Sequence, residues 1–151
     1  MTAAEVLLRL RRFLLVLSLL IFLGTLVELF LVNHTEDLIQ WVPFVLSGLS
    51  VLAILAAAVR RTRPTTFLLR ACMILAIIGS GLGIYQHVSN NIAFEKEIHP
   101  NSAGRELIMK GLGGANPLLA PGMLAIAGLL ALAATYKQPM TERRDDADVL
   151  T

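Results

Sequence analysis

Four apolar runs, Phe13–Val32, Trp41–Val59, Phe67–Val88 and Pro117–Tyr136, take up more than half of the chain, and short polar blocks separate them. A helix rises about 1.5 Å per residue, so about 20 residues cross the roughly 30 Å of bilayer hydrocarbon. Within hydrocarbon the backbone must pair its own polar groups, which a helix does inside one segment. The spacing therefore predicts an all-α membrane protein: a four-transmembrane-helix up-down bundle with helices at about 13–32, 41–59, 67–88 and 117–136. These form a single domain over residues 1–137, followed by a polar tail, 138–151. Composition agrees, since only 16% of residues are charged where soluble domains run about 25%, and mean hydropathy is +0.70. A soluble domain with a large core is excluded on these grounds.

The polar blocks set the boundaries. Arg11-Arg12 before Phe13 resembles the start of a secretory signal, but the core is long and lacks an A-x-A cleavage site, so a retained first helix is expected. Trp41 suits a lipid–water boundary. Pro43 falls where a first helical turn tolerates it. Arg60-Arg61-Thr62-Arg63-Pro64 is an abrupt basic stop. In the third run Gly79 and Gly83 form GxxxG, a pattern that lets helices approach closely, and Ala127 and Ala131 offer a similar contact in the fourth. Asn116 is placed to cap the fourth helix, with Pro117 at its first position and Pro121-Gly122 loosening its outer end.

Orientation follows from the basic residues. Arg9, Arg11, Arg12, then Arg60, Arg61, Arg63, Arg70, then Lys137, Arg143 and Arg144 all fall on one side if the helices alternate. The positive-inside rule then expects both termini in the cytoplasm of a multi-pass plasma-membrane protein. The net charge of +2, confined to such flanking blocks, gives no reason to expect nucleic acid as a partner. The single cysteine, Cys72, makes no intrachain disulfide and reads as a small buried hydrophobe.

The segment Gln86–Pro117 is the long polar connection and the candidate functional surface. Pro100 divides it, and Ser102 is placed to cap a short helix, Ala103–Lys110, stopped by Gly111 and lying on the membrane face or plugging the outer mouth. Two candidate sites gather on this side. The first is a divalent-metal set, His34, His87, Glu95 and His99, with imidazole and carboxylate ligands that suit zinc, copper, nickel or iron. The spacing matches no metal motif, and Glu95 and His99 at i,i+4 equally suit a helix-end hydrogen bond. The second is an intramembrane polar site, Glu28 with Tyr85, Gln86 and His87. An ionisable group within an apolar run is costly and marks function by default. Haem attachment, a phosphate loop and nucleophilic catalysis find no supporting motif, and no cofactor is expected beyond that possible metal ion. The resulting expectation is a non-catalytic subunit or accessory protein of a membrane complex, with the bilayer and other subunits or further copies of itself as partners. Cation binding or transport is the alternative.

Overall fold

The computed structural model describes residues 1–137, and the expected tail lies outside them. Those residues form five α-helices and no strand: α1 (Ala3–Leu31), α2 (Trp41–Val59), α3 (Arg63–Ile98), α4 (Gly104–Gly113) and α5 (Leu119–Ala134). A 3-10 turn, Leu38–Gln40, leads into α2. Three helices, α1, α2 with its leading turn, and α3, are long and apolar enough to cross a membrane, while α5 is a shorter apolar helix.

Local chemistry explains where the helices begin and end. Thr2 caps α1 by accepting from the Glu5 N–H at 3.3 Å, and the Glu5 carboxylate accepts from the Thr2 N–H at 2.9 Å. This reciprocal pair starts the helix ten residues before Phe13, so the arginine-bearing lead-in and the apolar run are one helix. Asn33 ends it in the left-handed region (φ 50°), which Asn enters more cheaply than other side chains. Thr62 and Thr65 form the equivalent pair at the start of α3, with Pro64 in the first turn. The third apolar run, predicted to stop at Val88, instead continues as helix to Ile98. Nothing between Gln86 and Glu97 breaks a helix, and the break comes only at His99-Pro100.

The helices pack around α5. It lies between α1 and α3, α2 also lies between α1 and α3, and α4 lies on α3 alone. Antiparallel pairing is visible in the contacts: Arg11 and Ser18 of α1 meet Tyr136 and Ala127, and Arg70 and Ser80 of α3 meet Thr135 and Pro121. The interior is lined largely by small residues, with Ala76, Ala127 and Ala131 fully buried, whereas Phe13, Leu20, Leu52, Phe67 and Leu82 face outward. Small inside and large apolar outside is the arrangement of helices packed in lipid, where close approach stabilises and outward Leu costs nothing.

Three glycines make that approach possible. A Cβ on Gly128 would lie 2.9 Å from Ile77 Cγ1 and 3.0 Å from the Met73 carbonyl oxygen. The GxxxG pair serves two neighbours and not one: Gly79 is pressed by Leu46 of α2, and a Cβ on Gly83 would meet Pro121 of α5 at 3.0 Å. Pro121 sits in the first turn of α5, where its missing N–H is not needed. Ser80 Oγ donates to the Pro121 carbonyl at 2.6 Å. Ser18 Oγ donates likewise to the Ala127 carbonyl at 2.8 Å. On α2, Ser47 and Ser50 are buried with no hydrogen-bond partner for either hydroxyl among the described residues.

Candidate functional site

The region predicted to be a long loop is a helical hairpin. The last third of α3 continues beyond its apolar part, the chain turns at His99–Ala103, and α4 returns along α3. Asn91 is the centre of this hairpin and is 3% exposed. Its amide nitrogen donates to the Gly111 and Asn116 carbonyls, each at 3.0 Å. Its amide oxygen accepts from the Asn116 backbone N–H at 2.9 Å and from the Asn116 side chain at 3.1 Å. One buried side chain thus uses its whole donor and acceptor capacity to tie α3, α4 and the entry to α5 together. Asn116 is consumed in this clamp, so it does not cap the fourth helix, and α5 begins only at Leu119.

Glycines let α4 come close enough to be clamped. Gly111, expected to stop the short helix, lies within α4; a Cβ there would meet Ile92 Cγ1 at 2.7 Å. A Cβ on Gly114 would overlap the Asn91 side chain at 2.5 Å. The helix start also differs from expectation, since Ala103 occupies the cap position and Ser102 is not used as one. Among the described residues α4 packs on α3.

Glu95 is buried beneath this hairpin, with its side chain 10% exposed. Its Oε1 accepts from His99 Nδ1–H at 3.1 Å, and Lys110 Nζ of α4 lies 3.8 Å away. The His99 N–H and the Lys110 ammonium offset the cost of burying the carboxylate. Bonded to an acceptor-only carboxylate, Nδ1 of His99 donates, and no hydrogen-bond partner reaches Nε2 among the described residues. That ring borders a shallow depression of about 370 Å³ lined by Ile98, Pro100, Asn101, Ser102 and Glu106.

His87 makes the corresponding bond one level nearer the bundle: Nδ1–H donates to the Pro117 carbonyl at 2.9 Å. His34, after α1, lies close enough to His87 to feel its charge. Burial pushes the His34 imidazole below its ordinary value, His87 adds to that push, and Glu36 opposes it.

The expected metal set is therefore divided into a Glu95–His99 pair at the hairpin and a His34–His87 neighbourhood at the bundle mouth. Among the described residues no group of three or more His, Cys, Asp or Glu side chains is placed to hold a metal ion. The expected intramembrane site is not drawn together either. Glu28 is exposed on α1, Tyr85 is 72% exposed on α3, and those two helices do not pack on each other. Among the described residues no side-chain hydrogen bond joins Glu28, Tyr85 or Gln86.

Sequence reasoning missed Asn91 and gave Asn116 and Gly111 other roles, a helix cap and a helix stop. Their signal was weak but present: an Asn inside an otherwise helical stretch, and Gly-x-Gly-Gly directly before an apolar run. Comparison of the chain with protein-family models, curated proteins and solved structures finds no match.

Proposed function

We propose that this chain is a four-span plasma-membrane protein with both ends in the cytoplasm, acting as a non-catalytic accessory subunit whose outer hairpin docks on a companion protein. The reading rests on the length of α3. Its 36 residues extend about 54 Å, well beyond the roughly 30 Å that the hydrocarbon requires. The surplus is a rigid helix braced by α4 through a buried amide clamp. Phe94, Ile98, Ile108, Met109 and Leu112 are each at least half exposed on that hairpin. Apolar side chains held on a rigid support outside the bilayer suit recognition of another protein.

The 16 residues of α5 cover only about 24 Å. Both ends nonetheless have polar partners, so a modest local thinning of the bilayer lets it serve as the fourth span. The basic blocks supply the orientation.

The test is purification from native membranes of the full chain and of a Phe94→Asp/Ile108→Asp variant. The wild type is expected to travel with a companion protein that the variant loses, while helicity and thermal midpoint stay unchanged. A wild-type particle of monomer mass with no companion sinks the proposal.

A further inference from the structure

Glu28 is the one acidic residue within the four apolar runs, Arg70 near the start of the third being the other charged group, and no hydrogen bond or ion pair reaches the Glu28 carboxylate among the described residues. It is not at the rim. Leu29 to Val32 follow it, and Phe30, Leu31 and Val32 are 75%, 72% and 62% exposed, so apolar surface lies between the carboxylate and the polar loop at Asn33. Side chains on a helix tilt toward its N-terminus. The N-terminus of α1 is the arginine end, so Glu28 leaves the backbone directed away from the nearest water. One turn earlier Gly24 is exposed, and a Cβ there would meet nothing within 4 Å. The Gly24–Glu28 edge is open to a close neighbour.

We propose that this edge of α1 seats a transmembrane helix of a companion protein carrying a Lys or Arg at the depth of Glu28. Charge decides the occupant. A carboxylate facing hydrocarbon is best satisfied by a cationic partner, and among the described residues this chain supplies none at that level. Arg9, Arg11, Arg12, Arg60, Arg61, Arg63 and Arg70 lie at the opposite end of the helices, and Lys96, Arg105 and Lys110 stand out on the hairpin. A second copy meeting this edge through a two-fold axis would bring another Glu28 to the contact. The inference rests on the accessory-subunit reading and names the chemistry of the companion.

The probe is a synthetic leucine–alanine transmembrane helix with Arg at one guest position one turn from an end, compared with Leu or Glu at that position. Association with the full chain in lipid nanodiscs is read by energy transfer. The Arg helix is expected to bind about tenfold tighter than the Leu helix to the wild type, and within about twofold of it to Glu28→Gln. Gly24→Leu should weaken the Arg helix by blocking approach. Equal binding of Arg and Leu helices, or a preference that survives Glu28→Gln, overturns the inference. So does self-association of the chain without the probe that Glu28→Gln abolishes, since the occupant is then a second copy. The Arg preference persisting in Phe94→Asp/Ile108→Asp supports this edge independently of the hairpin. A native particle lost only through the hairpin substitutions, with Glu28→Gln intact, overturns this inference and leaves the docking proposal standing.

Discussion

The two ends of α5 are closed by different chemistry. At the arginine end, Arg70 of α3 donates to the Thr135 carbonyl at 2.5 Å and to the Thr135 hydroxyl at 3.4 Å. Arg11 of α1 donates to the Tyr136 and Lys137 carbonyls at 2.9 and 3.4 Å. The last carbonyls of a helix lack internal partners and carry partial negative charge, so guanidinium groups from both neighbours satisfy hydrogen bonding and dipole together. At the other end the partners are a hydroxyl, an imidazole and an amide: Ser80 on the Pro121 carbonyl, His87 on the Pro117 carbonyl and the Asn91 clamp on Asn116. The arginine closure relies on side chains long enough to reach across from other helices. The amide closure is short and buried, and it exists only because Gly111 and Gly114 admit it.

That contrast predicts unequal fragility. Asn91→Leu removes a buried side chain whose bond to Gly111 is buried and whose bonds to Asn116 are part-buried, and strands the Gly111 and Asn116 carbonyls. Each stranded group costs about 1–3 kcal/mol, so a loss of about 3 kcal/mol or more is expected. It should show as a lower thermal midpoint and faster amide exchange in α4. Asn91→Asp keeps the shape and removes both donors, and it should be nearly as damaging. If either variant keeps wild-type exchange in α4, the clamp is not what holds the hairpin.

Between the two ends α5 has one polar tie, from Ser18 to the Ala127 carbonyl, and otherwise depends on close packing. Gly128→Ala pushes a methyl against the Met73 carbonyl, which is backbone and cannot yield by rotating. A loss of about 2 kcal/mol is expected from such overpacking. Gly48→Ala, with nothing within 4 Å of the new carbon, should be neutral or mildly stabilising through helix propensity. Equal behaviour of the two would mean that the α3–α5 approach is looser than these distances require.

At the arginine end, Arg70→Met keeps the apolar stem and removes the donors, with an expected cost of about 1.5 kcal/mol for a charge-assisted bond. Arg11→Met should cost less, because its bonds are exposed and such interactions are screened by water. An Arg11 effect larger than that of Arg70 would reverse the assignment of which neighbour closes this end.

These comparisons also show what the residues disclose before folding. The apolar runs reveal helices because period and length are local properties, and Trp41–Val59 is bounded by polar blocks at both ends. The end of α3 was hidden because Gln86–Glu97 is polar, and polarity alone does not tell a loop from a helix braced by a later segment. What brings Asn91 to Asn116 is tertiary: α4 must return along α3 before the two amides can meet. The histidines were legible as a group on one side of the bundle, but their pairing was not. Glu95 finds His99 through helical spacing, whereas His34 follows the end of α1 and His87 lies within α3, and the two come within electrostatic reach only when the bundle is assembled.

The smallest expected effect lies beside the amide closure. His34 has its imidazole pushed below the ordinary value of 6.5, first by burial and then by His87. The unfolded chain therefore takes up a proton, as pH falls through about 6.5, that the folded chain still refuses. Linkage gives stability that is present above that pH and is lost as pH falls toward the depressed folded value. His87 keeps its bond to Pro117 in either protonation state, because Nδ1–H donates in both. The acid sensitivity thus belongs to His34 and not to the closure itself. Thermal midpoints between pH 8 and pH 5 should fall for the wild type and fall less for His34→Gln. His87→Gln should give an intermediate slope, since it removes the second cause of the shift and leaves burial in place. A wild-type slope of opposite sign, or one unchanged by His34→Gln, would mean that the two imidazoles are not coupled at the bundle mouth.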